Sequence, residues 1–356
     1  MVSQKDIARR LNMTQQAVSA ALKDAANSKG TSKVSLETRE LVIKTAKEMG
    51  YFSNRYAAVL KSGRSRLFAV IHGAVTPDWF EKLRVLCEAI EECGYIPWTL
   101  DYSHYKGGAE QAIEQALSSK VEGLIFAVMP QQTDLTAVKK AKVPVVAYGS
   151  MPLPGIPLVN PHKEEAFGWI IQHLYEQGCR KMTVCWSMPK DQVDIHSRAT
   201  AAAASRALQH FSKKHRLKYR HPITVLPDAL SVRDEYRDEY YMGYCLAQEA
   251  LKRRDRPDAL IFPNDTLAIG GMRACAEARV RIPKDICVTG FNNERQSAYA
   301  MSPLTTVAQP IEIMARKTVE ILRRQVEGRE KPSEREHLFP CSLVIRHSSL
   351  FGKEPC

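Results

Sequence analysis

Apolar positions recur with two different periods along this chain. From Ser3 to Gly50 the spacing is helical: Ile7, Ala8 and Leu11 share one face, Ala17, Val18, Ala21 and Leu22 a second, and Leu41, Val42, Ala46 and Met49 a third. Ser3, with Asp6 three residues on, reads as a capping box that opens the first helix. Asn12-Met13 ends it, because Asn tolerates the left-handed backbone that such a turn needs. Thr14 caps the second helix, the third starts after Ser35, and Gly50 is placed to end it. The polar Gln15, Gln16 and Ser19 are left on the outer face at the N-terminal end of the second helix. Between the second and third helices, Asp24 to Lys33 is polar and small, either a mobile loop or an extra phosphate-contacting arm. Asn54 to Ser62 has helical propensity but is too short to hold alone in water, and Gly63-Arg64-Ser65-Arg66 reads as a flexible link.

From Leu67 the pattern changes to alternating strands and helices. Strand-like runs are Leu67–Ile71, Gly123–Val128, Val143–Tyr148, Met182–Trp186, Ala259–Phe262 and Ile286–Gly290. Helical stretches lie between and after them: Phe80–Glu92, Glu110–Ser118, Glu164–Glu176, Ala199–Lys213, Met242–Lys252, Leu267–Ala278 and Ile311–Glu327. This alternation predicts parallel sheets covered on both faces, and two such sheets with a cleft between them fit the length. Ligands in such folds sit at the carboxyl ends of the strands.

Charge sharpens the picture. The formal net charge is +12, and residues 1–66 hold 13 Lys and Arg against 5 acids, while the rest of the chain holds 38 against 34. A basic end on a near-neutral body suits a polyanionic partner; a solubilising tail is the alternative, and the apolar periodicity in the same segment argues against it. Two short helices joined by a tight turn specify a helix that can lie in a DNA groove. The nine cysteines form no CxxC pair and read as reduced core thiols of a cytosolic protein. There is no apolar run long enough for a membrane span and no secretory leader. No Gly-rich phosphate loop, Gly-x-Ser-x-Gly or His-Glu-x-x-His is present, so no catalytic residue, cofactor or metal is expected.

With these residues laid out, the chain from Val2 to about Ser349 resembles the lactose-repressor/galactose-repressor (LacI/GalR) family of bacterial regulators. The head matches through Asp6-Ile7-Ala8, Val18-Ser19, Val34-Ser35, Thr38-Arg39, Gly50-Tyr51 and Asn54-Arg55. The core matches through Val121 to Ile125, Pro144-Val145-Val146, Asn264-Asp265, Ile282 to Asp285, Gly290-Phe291 and the long Pro303 to Pro310. The resemblance implies a small all-α helix-turn-helix DNA-binding head followed by an α/β core. That core is expected as two parallel-sheet, Rossmann-like subdomains of the periplasmic-binding-protein type I kind. Implied boundaries are 1–53 for the head, 54–66 for a hinge helix and linker, 67–161 with 293–323 for the first subdomain, and 162–292 with 324–349 for the second.

For DNA, the resemblance puts Thr14 to about Leu22 in the major groove, with Gln15 and Gln16 at the main base-reading positions; a Gln amide can bond both donor and acceptor edges of adenine. A merely solvated helix face is the bland alternative. Ser3, Lys5, Thr14, Ser19, Asn27, Asn54 and Arg55 suit phosphate or sugar contacts, which position without specifying sequence. Leu60 matches the family's hinge leucine, expected to wedge between base steps in the minor groove or, otherwise, to pack on the core. Ala20 stands where the family usually has Arg, and the loop after the second helix is longer than usual, so the operator is not copied from a known half-site.

For the effector, carry-over points to His72, Asp78, Trp79, Tyr148, Arg198, Asn264, Asn292 and Gln309 around the cleft. Trp79 can stack on a ligand or serve as core, and Arg198 can grip a ligand or form a surface ion pair. Asp265 is expected to support its loop rather than touch ligand. Asn292 and Asn160 replace carboxylates that the family often has, and Gly149-Ser150 replaces another. That leaves acidic sugars, neutral sugars and phosphorylated metabolites open. The expectation is a cytoplasmic homodimeric repressor that binds a pseudo-palindromic double-stranded DNA operator, modulated by a sugar-like effector; a cytosolic sugar-binding protein or a regulator without effector response are the alternatives. No tetramerising coiled coil is visible at the C-terminus.

Overall fold

The computed structural model describes residues 2–25, 34–51, 64–73, 77–130, 132–149, 152–186, 195–218, 222, 239–330, 333 and 335–351, with backbone alone at 23–25, 77–78 and 195–198. The chain divides into two compact units, Met1–Arg66 and Leu67–Cys356.

The first unit holds α1 (Gln4–Leu11), α2 (Gln15–Ala25) and α3 (Leu36–Glu48). Ile7, Ala8, Val18, Ala21, Val42 and Ala46 form its core. Asn12 adopts the left-handed conformation, φ 50°, that ends α1. The Met13 amide then returns to the Ala8 carbonyl at 2.9 Å, closing the turn into α2. Ser35 caps α3 by accepting from the Thr38 amide, and Gly50 leaves it at φ +67°. Leu41, expected inside, is half exposed. The inner face of α3 runs through Val42, Thr45 and Ala46, and Leu41 is turned about 100° away from Val42.

The second unit is two α/β lobes. β1 (Leu67–His72), β2 (Ile96–Asp101), β3 (Gly123–Ala127), β4 (Val145–Tyr148), β5 (Leu158–Pro161) and β10 (Glu336–Phe339) form an all-parallel sheet in the order β10-β5-β4-β3-β1-β2. Its central strands β1, β3 and β4 are almost wholly apolar because both faces are covered there. α4 (Pro77–Glu92) and α11 (Ile311–Val326) pack on one face. α5 (Gly108–Ser118) and α6 (Thr136–Ala141) pack on the other. The second lobe has a parallel sheet of β6 (Met182–Val184), β7 (Ala259–Ile261) and β8 (Cys287–Thr289). α7 (Lys163–Glu176) and α8 (Ile195–Lys214) cover one side of it; α9 (Glu239–Lys252) and α10 (Asp265–Glu277) cover the other. α9 and α10 cross so closely that a Cβ on Gly270 would meet the Tyr240 carbonyl oxygen at 1.8 Å.

The chain crosses between lobes three times: after β5, after β9 (Thr306–Ala308), and between β10 and β11 (Ser342–Val344), which pairs antiparallel with β9. These crossings differ from the boundaries expected from sequence. Glu336–Phe339 pairs with Leu158–Pro161 in the first sheet, so 324–349 is not all in the second lobe. Residues 293–308 pack against the second lobe through Leu304 and Val307. Among the described residues no helix is long and apolar enough to cross a membrane, and the eight described cysteines are all free.

Candidate functional sites

In the head, Gln15 and Gln16 are the first residues of α2 and both are exposed, as is Lys5 on α1. Ser19 and Ala20, one turn further, are half-buried. Thr14 and Ser3 differ in what their caps leave over. The Thr14 Oγ1 accepts from the Ala17 amide at 3.2 Å, so its O–H is not used by the cap. The Ser3 hydroxyl donates to Asp6 Oδ2 at 2.7 Å, and the Ser3 amide donates to the same oxygen at 2.9 Å. These bonds hold the Asp6 carboxyl below its ordinary range. A phosphate only accepts, so Ser3 would have to leave its cap to donate to one. Asn27, Asn54, Arg55 and Leu60 lie outside the described residues.

In the core, the first-lobe candidates stand along the carboxyl edge of the sheet. His72 ends β1, 7% exposed, with Nδ1 2.6 Å from the Gly73 carbonyl. A carbonyl only accepts, so Nδ1 is the donor in this contact. Tyr148 ends β4 and is fully buried; its hydroxyl has no hydrogen-bond partner among the described residues, and burial pushes its pKa well above the usual value. Trp79, from α4, meets Tyr148 edge-on at 6.0 Å between ring centres. The Trp79 ring belongs to the first lobe's core, with the Lys82 ammonium 5.2 Å from its centre. It is therefore not open for stacking in this state. Beyond β3, Val128 sits at φ 56°, and its carbonyl accepts from the Tyr102 hydroxyl at 2.8 Å. A β-branched residue held there stores backbone strain, a feature that concentrates at binding sites.

On the second lobe, Asn264 caps α10. Its Oδ1 accepts from the Leu267 amide at 2.8 Å and its Nδ2 donates to Glu239 at 3.0 Å. Gln309, just before α11, donates to Asn292 Oδ1 at 2.5 Å. Two of the expected residues are thus joined directly, and a third is engaged in a cap. Asp265 is fully buried and supports the neighbouring loop. It accepts from the Glu294 amide (2.8 Å), the Ser297 hydroxyl (2.6 Å) and the Thr306 hydroxyl (2.6 Å). Desolvation outweighs those bonds and raises its pKa to about 7. The side chains of Asp78 and Arg198 lie outside the described residues. Asn160 is a buried residue inside β5, and the residues that follow the strand are His162 and Lys163.

A cavity of about 660 Å³ separates the lobes beside β5 and β10. Asn160, Lys163, Gly168, Ala203, Arg206 and Leu338 are among its walls, and none of the six expected effector residues whose side chains are described lines it. Sequence reasoning missed Lys82 and Lys163, both buried. Lys82 carried a signal: it interrupts the apolar stripe Trp79, Leu83, Leu86 and Ile90 of α4. Among the described residues no group of three or more His, Cys, Asp or Glu is arranged to hold a metal ion.

A helical head followed by a two-lobed α/β core with three crossings is a defined class of architecture, and comparison with known proteins gives it a family. Residues 171–349 match the model of the periplasmic binding protein-like domain. The HTH-type transcriptional repressor CytR of Escherichia coli (strain K12) is 25% identical over 349 residues, covering 97% of this chain and 95% of the relative. The HTH-type transcriptional repressor MelR of Bacillus subtilis (strain 168) is 24% identical, covering 98% of this chain and 97% of the relative. Among solved structures, the Lac repressor dimer bound to operator and the anti-inducer ONPF is similar with a TM-score of 0.78 at 22% identity, covering 98% of this chain and 99% of that one. The transcriptional regulator CelR–cellobiose complex follows at a TM-score of 0.64 and 20% identity, covering 98% and 100%. The chain belongs to the periplasmic binding protein-like family, in the LacI/GalR branch that carries a helix-turn-helix head.

Proposed function

We propose that this chain is a transcriptional regulator, a repressor, that binds a pseudo-palindromic operator as a homodimer. A small molecule, a sugar or sugar derivative, in the cleft between the lobes changes that grip. The observation that carries the reading is α2: two exposed glutamines at its N-terminal turn, on a helix fixed by the Asn12 turn and the head's core. That is the part of a helix-turn-helix that meets base edges. The relatives named above are transcriptional repressors, and the similar structures include one with operator and one with cellobiose.

Self-association is supported by Tyr299 and Met301, which are 84% and 88% exposed beside an apolar groove lined by Tyr240, Tyr244 and Met272. Exposed large apolar groups of this kind favour burial against a partner. The effector is read as shifting the relative orientation of the lobes, and such coupling typically amounts to about 1–3 kcal/mol. The protein acts where its DNA is, in the cytoplasm.

Selection of genomic fragments by the full-length protein, against bulk competitor DNA, tests the reading. A recovered motif with two-fold symmetry is expected. Recovery of no preferred fragment, with and without candidate sugars, overturns it.

A further inference from the structure

The inward stripe of α11 ends on a glutamine. Met314, Thr318, Ile321 and Leu322 lie along it and are buried, and Gln325, a turn further on, is 7% exposed. The other polar residue of the stripe is satisfied: the Thr318 hydroxyl donates to the Met314 carbonyl at 2.9 Å. Gln325 is not. Its Nε2 and Oε1 are both shielded from water, and neither has a hydrogen-bond partner among the described residues. A buried amide left unpaired loses its hydration without return, and an apolar side chain at that place would avoid the loss.

Gln325 is also one wall of a cavity of about 460 Å³. Leu135, Val138, Val143, Pro144 and Ile156 are others. Val143 and Pro144 lead into β4, and Ile156 leads into β5, so the cavity lies at the amino edge of the first sheet. His72 and Tyr148, candidates for the effector, end their strands at the opposite, carboxyl edge. From Val145, also a wall, the strand runs three residues to Tyr148, a rise of about 10 Å. The cavity is thus separate from the candidate effector site. Lys139 and Lys142 border it too, but both are exposed, and water screens their charge.

We propose that this cavity is a second small-molecule site, which takes a flat, largely apolar molecule bearing an amide edge, an N–H beside a C=O. A glutamine amide donates through Nε2 and accepts through Oε1, and an amide edge meets both at once. A carboxylate or phosphate only accepts, so it would leave Oε1 unpaired. A sugar would bring hydroxyls that the apolar walls do not pair. Binding needs a turn of the Gln325 side chain toward the cavity, and the two bonds gained there drive it. The site does not depend on the reading of the effector cleft. α11 begins just after the second crossing and carries Gln325 in its last turn, so the ligand grips the far end of the helix that leads away from that joint.

The test uses full-length protein and three probes in ligand-detected NMR and calorimetric titrations. 2-Quinolone has the amide edge, N-methyl-2-quinolone lacks its N–H, and 2-naphthoate is an anion of similar size. 2-Quinolone is expected to bind about fivefold or more tightly than either of the others, the scale of one hydrogen bond. Gln325→Met keeps the length of the side chain without the amide. It should weaken 2-quinolone by about the same factor and erase its advantage over the N-methyl compound. It should not lower the melting temperature, because the amide it removes is unpaired. Absence of 2-quinolone binding overturns the proposal, as does binding of either other probe at least as tight, or unchanged 2-quinolone affinity in Gln325→Met. A lower melting temperature in that variant also overturns it, since the amide would then be engaged in the free protein.

Discussion

The Gln309 side-chain amide donates to Asn292 Oδ1 at 2.5 Å, joining the loop after β8 to the second crossing between the lobes. The bond links a second-lobe loop to the residue from which α11 returns to the first lobe, so a ligand touching either group also touches the joint. Asn292→Ala should remove the acceptor, leave the Gln309 amide unpaired and weaken effector binding about tenfold, the scale of one lost hydrogen bond. Operator affinity without effector should stay as in the parent. Paired titrations, one of effector and one of operator DNA, check both halves. Asn292→Asp keeps the acceptor but adds charge, so it should lower affinity for an anionic effector more than for a neutral one.

Gly290 lies against the Asp265 carboxyl: a Cβ there would come within 2.1 Å of Oδ1 and 3.0 Å of Leu304 Cδ2. Since Asp265 is fixed by three hydrogen bonds, the oxygen cannot simply swing aside. Gly290→Ala should cost about 1–3 kcal/mol, the usual scale of overpacking. In a thermal melt the core transition should move down. An unshifted transition would mean that the carboxyl is loosely held.

The same carboxyl gives a pH dependence with a definite sign. Its folded pKa is about 7, against an ordinary value of 3.8. Between those values the folded protein holds a proton that the unfolded chain has released. Stability should therefore fall as pH rises from about 4 to about 7 and level off above, as far as this group contributes. When protonated, Asp265 can turn donor, and the Ser297 and Thr306 hydroxyls can turn to accept. Asp265→Asn should flatten the slope in that window. Melting temperatures of parent and variant across that range decide the matter, and parallel curves would remove Asp265 as the cause.

Much of the architecture was legible because it rests on periodicity and caps. The six strand-like runs each overlap an observed strand, and the seven helical stretches each fall on an observed helix. β2 was missed because it is an edge strand whose Pro97 and exposed Ile96 blur the apolar run. β9, β10 and β11 were missed because they are short crossing segments whose partners are remote in sequence. That is also why the lobe boundaries came out differently: register across a crossing is set by tertiary pairing, not by local pattern. At the site, Asp265 was read correctly as a loop support. Asn264 could have been read as a cap from the Asp-Thr-Leu that follows it. Lys163 could not, because its burial depends on β10 and the third crossing.

In the head the prediction turns on two exposed amides and one cap. Gln15 and Gln16 face solvent on α2, and Ala20 on the next turn offers no hydrogen-bonding group to a base. On the proposed reading, discrimination between operators is expected to fall on the two glutamines. Gln16→Ala should cost about 1–3 kcal/mol on a selected fragment, the scale of one bidentate base contact, with little change on random DNA. Thr14→Ala acts differently. It removes the Oγ1 that accepts from Ala17, so it should lower head stability by about 1 kcal/mol and weaken binding to all sequences alike through lost phosphate contact. Binding isotherms on selected and random duplexes over a range of salt separate the two effects. The ratio of affinities should collapse for Gln16→Ala and persist for Thr14→Ala. Equal losses on both duplexes for Gln16→Ala would return that residue to the solvated face of the helix.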